Sequence, residues 1–171
     1  SVNISVRQFF HSSFLDEVKR LSDKYLNDET RRKIVFEVTE TLFIEDLYRI
    51  GLIINKLKHL DFSFSMDDFG TGYSSLSSLR EMPIEELKID RSFVSYLGER
   101  KSDELMIITI LSVAKIYDLK TVAEGIETEE QFKFLLENGC DIFQGYYFSK
   151  PLLKDDFERF YKESFSKLLT T

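Results

Sequence analysis

A set of polar side chains stands where short apolar runs of the chain end. In order these are Asn3, Glu37, Asp67 with Asp68, Lys88 with Asp90, Glu124 and Gln144. Side chains alternate between the two faces of a strand. Phe36 and Val38 therefore oppose Glu37, Phe64 and Met66 oppose Asp67, and Leu87 and Ile89 oppose Lys88 and Asp90. Carboxylates gathered on one face repel one another strongly unless cations are bound. Two divalent ions about 3.5–4 Å apart are a common answer, and they suit hydrolysis of phosphate esters. Lys88 then fits as a cation near the attacking water or the phosphate. The plainer alternative is a structural ion pair between Lys88 and Asp90. It accounts for one pair but not for the whole set.

The elements that must position these groups alternate short apolar runs with longer amphipathic ones. Strands are predicted at 2–5, 33–38, 63–67, 86–89, 121–123 and 141–144. Helices are predicted from a cap at Ser13, over 44–60, from Ser74 or Ser75 to before Pro83, over 103–118, from a cap at Thr128 to Asn138-Gly139, and over 154–168. Strands alternating with helices imply a parallel α/β sheet. No G-x-G-x-x-G turn follows a strand, which argues against a dinucleotide-binding sheet. A closed (β/α)8 barrel normally needs about 250 residues. With 171 residues, the expectation is a TIM-like barrel from which about two upstream strands are missing. In such barrels the active site lies at the C-terminal strand ends.

Composition narrows the chemistry. The chain carries a formal net charge of −7 and an isoelectric point near 5.0, so a broad basic footprint for a nucleic-acid polymer is not expected. The histidines are His11 and His59 alone, which disfavours a histidine-rich zinc site. Oxygen ligands point instead to Mg²⁺ or Mn²⁺. The single cysteine, Cys140, precludes an internal disulfide and reads as a small buried residue in a reducing compartment. No secretory signal or membrane-spanning run is evident. Ser1 opens directly on a strand-like segment, as a cut end would.

The most informative stretch is Asp67-Asp68-Phe69-Gly70-Thr71-Gly72-Tyr73-Ser74-Ser75-Leu76. Two acids close a strand, a glycine-punctuated turn follows, and serines open a helix. Glycines there permit positive φ and close backbone approach. A helix N-terminus offers free N–H groups to phosphate. Alone, this is also what an ordinary βα turn looks like.

Taken together, the motifs resemble a known family. S-V-N-I-S at 1–5, F-E-V-T-E at 36–40, D-D-F-G-T-G-Y-S-S-L at 67–76, L-K-I-D-R-S-F-V at 87–94, V-A-E-G-I-E-T at 122–128 and Q-G-Y-Y-F-S-K-P at 144–151 are similar, in order, to segments of EAL domains. These are the bacterial cyclic di-GMP phosphodiesterases. The resemblance covers nearly the whole chain and implies one partial EAL domain over residues 1–171, holding about two-thirds or more of the barrel. It implies metal-ligand roles for Asn3, Glu37, Asp67, Asp68 and Glu124, and a two-metal Mg²⁺ or Mn²⁺ site in the intact domain. Lys88 resembles the lysine that holds and activates the water, and Glu124 also resembles a general base. Glu40 resembles the glutamate that fixes the D-D-F-G-T-G loop. Gln144 and Asp90 resemble substrate-facing residues, with Asp90 and Glu127 also supporting their neighbours.

The implied reaction opens one phosphodiester of cyclic di-GMP to give linear pGpG. The resemblance further implies a homodimer through the Asp67–Leu76 loop face, an upstream sensor or GGDEF domain that is membrane-bound in some members, and a cytoplasmic catalytic domain. The E-A-L segment, with its metal-ligand glutamate, lies upstream of the residues seen here, so weak or no activity is expected of this chain alone. Three other readings compete: a non-catalytic cyclic di-GMP-binding module, an unrelated Mg²⁺-dependent barrel enzyme acting through an enolate, and a scaffold. Intact ligand motifs favour the enzyme over the module. Tyr73, Phe93, Tyr146, Tyr147 and Phe148 flank the motifs as candidate guanine-stacking groups, with core packing the expected role for most.

Overall fold

The computed structural model describes residues 1–44, 46–71 and 76–168. Among these residues six strands form one parallel sheet in sequential order: β1 (Val2–Asn3), β2 (Val35–Thr39), β3 (Ser63–Phe69), β4 (Glu86–Ile89), β5 (Lys120–Ala123) and β6 (Ile142–Phe143). Each crossover carries helix: α1 (Val6–Phe9), α2 (Phe14–Tyr25) and α3 (Asp28–Arg31), then α4 (Leu47–Lys58), α5 (Leu76–Glu81), α6 (Arg91–Val94) with α7 (Lys101–Ile116), and α8 (Glu129–Glu137). A final helix, α9 (Lys154–Leu168), follows β6. Sequential parallel order with helical crossovers is the arrangement of a βα barrel, here a partial one with β1 and β6 at its two edges.

The two faces of the strands separate as alternation requires. Val38, Phe64, Met66, Leu87 and Ile89 are buried beneath the helices. They meet Ile50, Ile54 and Leu57 of α4 and Ile107, Ile110 and Ala114 of α7 in one core. The facing register aligns Asn3 with Glu37, Glu37 with Ser65, Ser65 with Glu86, and Glu86 with Lys120. The barrel face thus carries most of the polar strand residues, with Val35 and Val122 among them, and the outer face holds the apolar packing.

Several boundaries differ from the periodicity reading, each for a local reason. β1 stops at Asn3 because Ser5 caps α1 in a reciprocal pair with Gln8. The 44–60 helix starts at Leu47, since residues Glu40–Ile44 form a 3-10 turn and Asp46 accepts the Arg49 N–H as N-cap. Ser13 occupies the N-cap position of α2 without capping it. Its hydroxyl lies 2.8 Å from His11 Nδ1 instead. The Thr128 cap is present, reciprocated by Gln131. The chain then leaves α8 through Asn138 and Gly139, the latter at φ +84°. The predicted helix start at Ser74 or Ser75 lies outside the described residues, as do Gly72 and Tyr73.

Candidate functional site

The site grows from the end of β3. Met66 pairs with Leu87 and Phe69 with Ile89, which leaves Asp67 and Asp68 together opposite the single Lys88. This is a β-bulge, a device that re-aims side chains at a strand end. Asp68 adopts φ +57°, a conformation costly for a residue with a Cβ. Two consecutive acids can thereby serve one side of the sheet, which regular alternation forbids.

Lys88 is the centre. It is 4% exposed, and its ammonium lies 2.7 Å from Glu124, 3.0 Å from Glu37 and 3.1 Å from Asp67. Burial alone would lower the Lys88 pKa. Hydrogen bonds from Lys88 to Glu124 and Glu37, with their charges and that of Asp67, outweigh burial and hold it above the ordinary lysine range. Burial pushes Glu124 up, helped by Asp67 and Glu37 and only partly offset by Lys88. Burial acts the same way on Glu37, yet hydrogen bonds from Ser1 and Lys88 leave it below the usual carboxylate range. Asp68 is raised by burial and by the charges of Asp67 and Asp90. Three carboxylates around one ammonium leave net negative charge in a buried place, which is costly without further cations.

The neighbours fix this arrangement. Glu40 is buried, and its Oε2 accepts the Gly70 N–H at 3.1 Å. It thus ties the turn after β2 to the loop after β3. Asp90 caps α6 by accepting the Ser92 N–H at 3.0 Å. The ion pairs of Lys88 run to Glu37, Asp67 and Glu124, so the simple Lys88–Asp90 pair does not describe this strand end. Gln144 extends the β5–β6 pairing: its N–H donates to the Ala123 carbonyl and its carbonyl accepts from the Ile126 N–H. Asn3 is exposed on the edge strand, in register with Glu37.

Beside Glu124 and Gln144 lies an open cavity of about 440 Å³, whose lining includes Glu127, Tyr146 and Lys150. Arg91 also borders it and was not singled out from sequence. Its guanidinium lies 2.7 Å from Glu127, and its stem crosses Gly125 so closely that a Cβ there would sit 2.2 Å from Arg91 Cγ. The available signal was a glycine directly after the candidate acid Glu124. Of the aromatic residues, Phe93 packs against the core. Tyr146, Tyr147 and Phe148 are 53%, 41% and 43% exposed, against the expectation of core packing.

The donor chemistry fits a divalent cation: oxygen ligands, partly or fully buried, with excess negative charge. Glu37, Asp67 and Glu124, with Asp68 beside them, are the side chains that would hold it. Among the described residues, no three acidic side chains converge at metal-coordinating spacing, and the Lys88 ammonium is the cation these carboxylates share.

Comparison with known proteins follows the same line. Residues 1–151 match the EAL domain family model. The chain is 36% identical over 160 residues to the signaling protein YkoW of Bacillus subtilis, covering 94% of this chain and 20% of that protein. It is 36% identical over 152 residues to the bifunctional diguanylate cyclase/cyclic di-GMP phosphodiesterase MucR of Pseudomonas aeruginosa, covering 89% and 22%. The MucR phosphodiesterase structure, a c-di-GMP complex, superposes with a TM-score of 0.86 over 91% of this chain and 62% of that one. The Klebsiella pneumoniae BlrP1 manganese/cy-diGMP complex gives 0.75 at 26% identity, covering 87% and 38%. The chain therefore spans about a fifth of the curated relatives it matches.

Proposed function

The chain belongs to the EAL domain family, and from that premise we propose that the protein containing it hydrolyses cyclic di-GMP to linear pGpG. The observation that carries this reading is the buried Lys88 ammonium held among Glu37, Asp67 and Glu124 at the C-terminal strand ends. The name of MucR as a bifunctional diguanylate cyclase/cyclic di-GMP phosphodiesterase supports it.

In this reading Glu37, Asp67, Asp68, Glu124 and Asn3 would hold Mg²⁺ or Mn²⁺. Bound there, the ions would neutralise phosphoryl oxygens and acidify water. Lys88 orients the attacking water against the phosphate and stabilises the charge that develops on it. Glu124 accepts the water's proton. Glu40 keeps the loop carrying Asp67 and Asp68 in place through Gly70. Gln144 and Asp90 face the substrate, and the cavity beside Glu124 receives part of the nucleotide. The water oxygen bonds to phosphorus, the P–O3′ bond breaks, and the freed 3′ oxygen takes up the proton that Glu124 received from the water.

Residues 1–171 are one partial domain in this proposal, and the ligand set is completed by an upstream E-A-L segment. An upstream sensor or GGDEF domain supplies the input, and MucR is itself named as both a diguanylate cyclase and a cyclic di-GMP phosphodiesterase. The domain acts in the cytoplasm. No helix among the described residues is long and apolar enough to cross a membrane. A homodimer forms over the face of the Asp67–Leu76 loop. In support, α7 packs Ile110 near Gly70 on its inner side and leaves Leu105, Ile108 and Ile116 exposed.

The test is hydrolysis of cyclic di-GMP by the parent protein, E-A-L segment included, with Mn²⁺. Formation of pGpG is expected. Tight binding without product would overturn the enzyme reading in favour of a binding module.

A further inference from the structure

Lys88 has three carboxylate partners within 3.1 Å and almost no exposure to solvent. Its ion pairs come from three different strands or their ends: Glu37 within β2, Asp67 within β3 and Glu124 just beyond β5. These are the same oxygens that the metal reading assigns to a divalent cation. Glu37 is buried and Asp67 and Glu124 are partly buried, and a group of such anions cannot be kept assembled by packing alone, since each like charge within a few ångströms costs free energy that falls only when a cation is shared. In the described residues, Lys88 is the side-chain cation that Glu37, Asp67 and Glu124 share within ion-pair distance.

We propose that Lys88 is a positioning residue for the metal site, a built-in cation that holds the carboxylates together before metal arrives and gives them up when it binds. The inference rests on the metal-site reading above and adds a competition to it. Ammonium and metal draw on the same oxygens, so Lys88 preserves the fold of the empty site at the expense of metal affinity. The local placement of the residue supports this. Lys88 emerges from the middle of the sheet, between buried Leu87 and Ile89, so its stem has little freedom to leave. The ammonium can shift by its terminal torsions alone, which leaves it beside the site once a metal has taken the carboxylates.

The test uses the parent protein and the metal alone. Mn²⁺ binding is titrated calorimetrically for the wild type, Lys88→Met and Lys88→Arg, and thermal unfolding is followed with and without Mn²⁺. Removing a positive charge from the ligand shell should tighten Mn²⁺ binding roughly tenfold or more, while the metal-free variant melts at lower temperature. Lys88→Arg keeps the charge and should bind Mn²⁺ close to the wild-type affinity. A Lys88→Met protein that is unfolded without metal and folded by Mn²⁺ is the same result in stronger form.

Lys88→Met binding Mn²⁺ no more tightly than the wild type overturns the inference and leaves the metal site standing. So does a variant that stays unfolded at saturating Mn²⁺. Failure of the wild type itself to bind Mn²⁺ overturns the metal reading and this inference with it.

Discussion

Two lysines mark the two ends of the barrel, and their surroundings differ in a way that separates function from structure. Lys58, at the end of α4, pairs with Glu85 and donates to the Pro83 carbonyl at 3.1 Å. Glu85 also accepts the Phe64 N–H at 2.8 Å. One cation meets one anion, every group has a partner, and the side chains are about a third exposed. Lys88, at the opposite end of the strands, is buried and serves three carboxylates. The first arrangement is balanced and closes the structure. The second is short of positive charge, a state that folding does not favour by itself and that chemistry can use.

The largest effect that sharpens this contrast lies at Glu124. Glu124→Gln in the parent protein should reduce cyclic di-GMP hydrolysis by about 10²–10⁴-fold, the usual range for loss of a proton-transfer group. It should leave the melting temperature unchanged or higher, because one of three crowded charges is gone. The mirror experiment is Lys58→Met, which should cost ~1 kcal/mol of stability, as expected for a partly exposed pair and its hydrogen bond. Hydrolysis should stay at the wild-type level. Urea unfolding and a pGpG assay on both variants decide the matter. A Lys58→Met protein with crippled hydrolysis and intact stability would break the division between the ends.

A smaller, pH-dependent effect probes the middle of the barrel face, where Glu86 lies between Ser65 and Lys120 in register. Burial raises the Glu86 pKa, with Glu37 and Glu85 adding to it and Lys120 opposing it. A carboxyl whose folded pKa lies above its unfolded value binds its proton more tightly in the native state. Its effect on stability is therefore unfavourable at pH above the raised folded value and is relieved as pH falls through that value. Glu86→Gln should accordingly stabilise the protein at pH 7, with the gain shrinking as pH falls below the raised value. Urea denaturation at neutral and acidic pH reads this directly. A gain that grows toward acid would contradict the assigned direction.

Much of this molecule was legible in the sequence because a parallel βα barrel writes its two faces in simple alternation. Phe64, Met66, Leu87 and Ile89 announced the helix-facing side, and Glu37, Asp67 and Lys88 the other. Thr128 and Asn138-Gly139 announced both ends of α8. What escaped were features set by backbone geometry between neighbouring strands. The bulge that places Asp68 beside Asp67 depends on the register of β3 against β4, which no single segment encodes. Arg91 escaped because its role depends on Gly125, thirty-odd residues along the chain, leaving room for its stem. The sharing of Lys88 among three carboxylates is likewise a property of assembled strands. The sequence pointed to a convergence of charges but not to which cation held them.

The smallest effect returns to the contrast between the ends through backbone conformation. Asp68 and Asp118 both adopt φ +57°, a region where a Cβ is unfavourable and glycine is at ease. Asp118 follows the end of α7, and the Leu119 N–H just beyond it donates to the Ala114 carbonyl. It is thus a helix-terminating position that glycine fills well. Asp118→Gly should raise stability by ~0.5 kcal/mol, since relief of the left-handed conformation is partly offset by the greater freedom of glycine in the unfolded chain. Hydrolysis should not change. Asp68→Gly relieves the same conformation and takes a charge from a crowded site, so it too should hold or gain stability, while hydrolysis collapses. Parallel stability measurements and pGpG assays on the two variants test one backbone geometry in two settings. At the base of the barrel the strained aspartate is replaceable, and at the strand ends its carboxylate is what the strain maintains. If Asp68→Gly kept wild-type hydrolysis, the bulge would be a structural irregularity and Asp68 would leave the site.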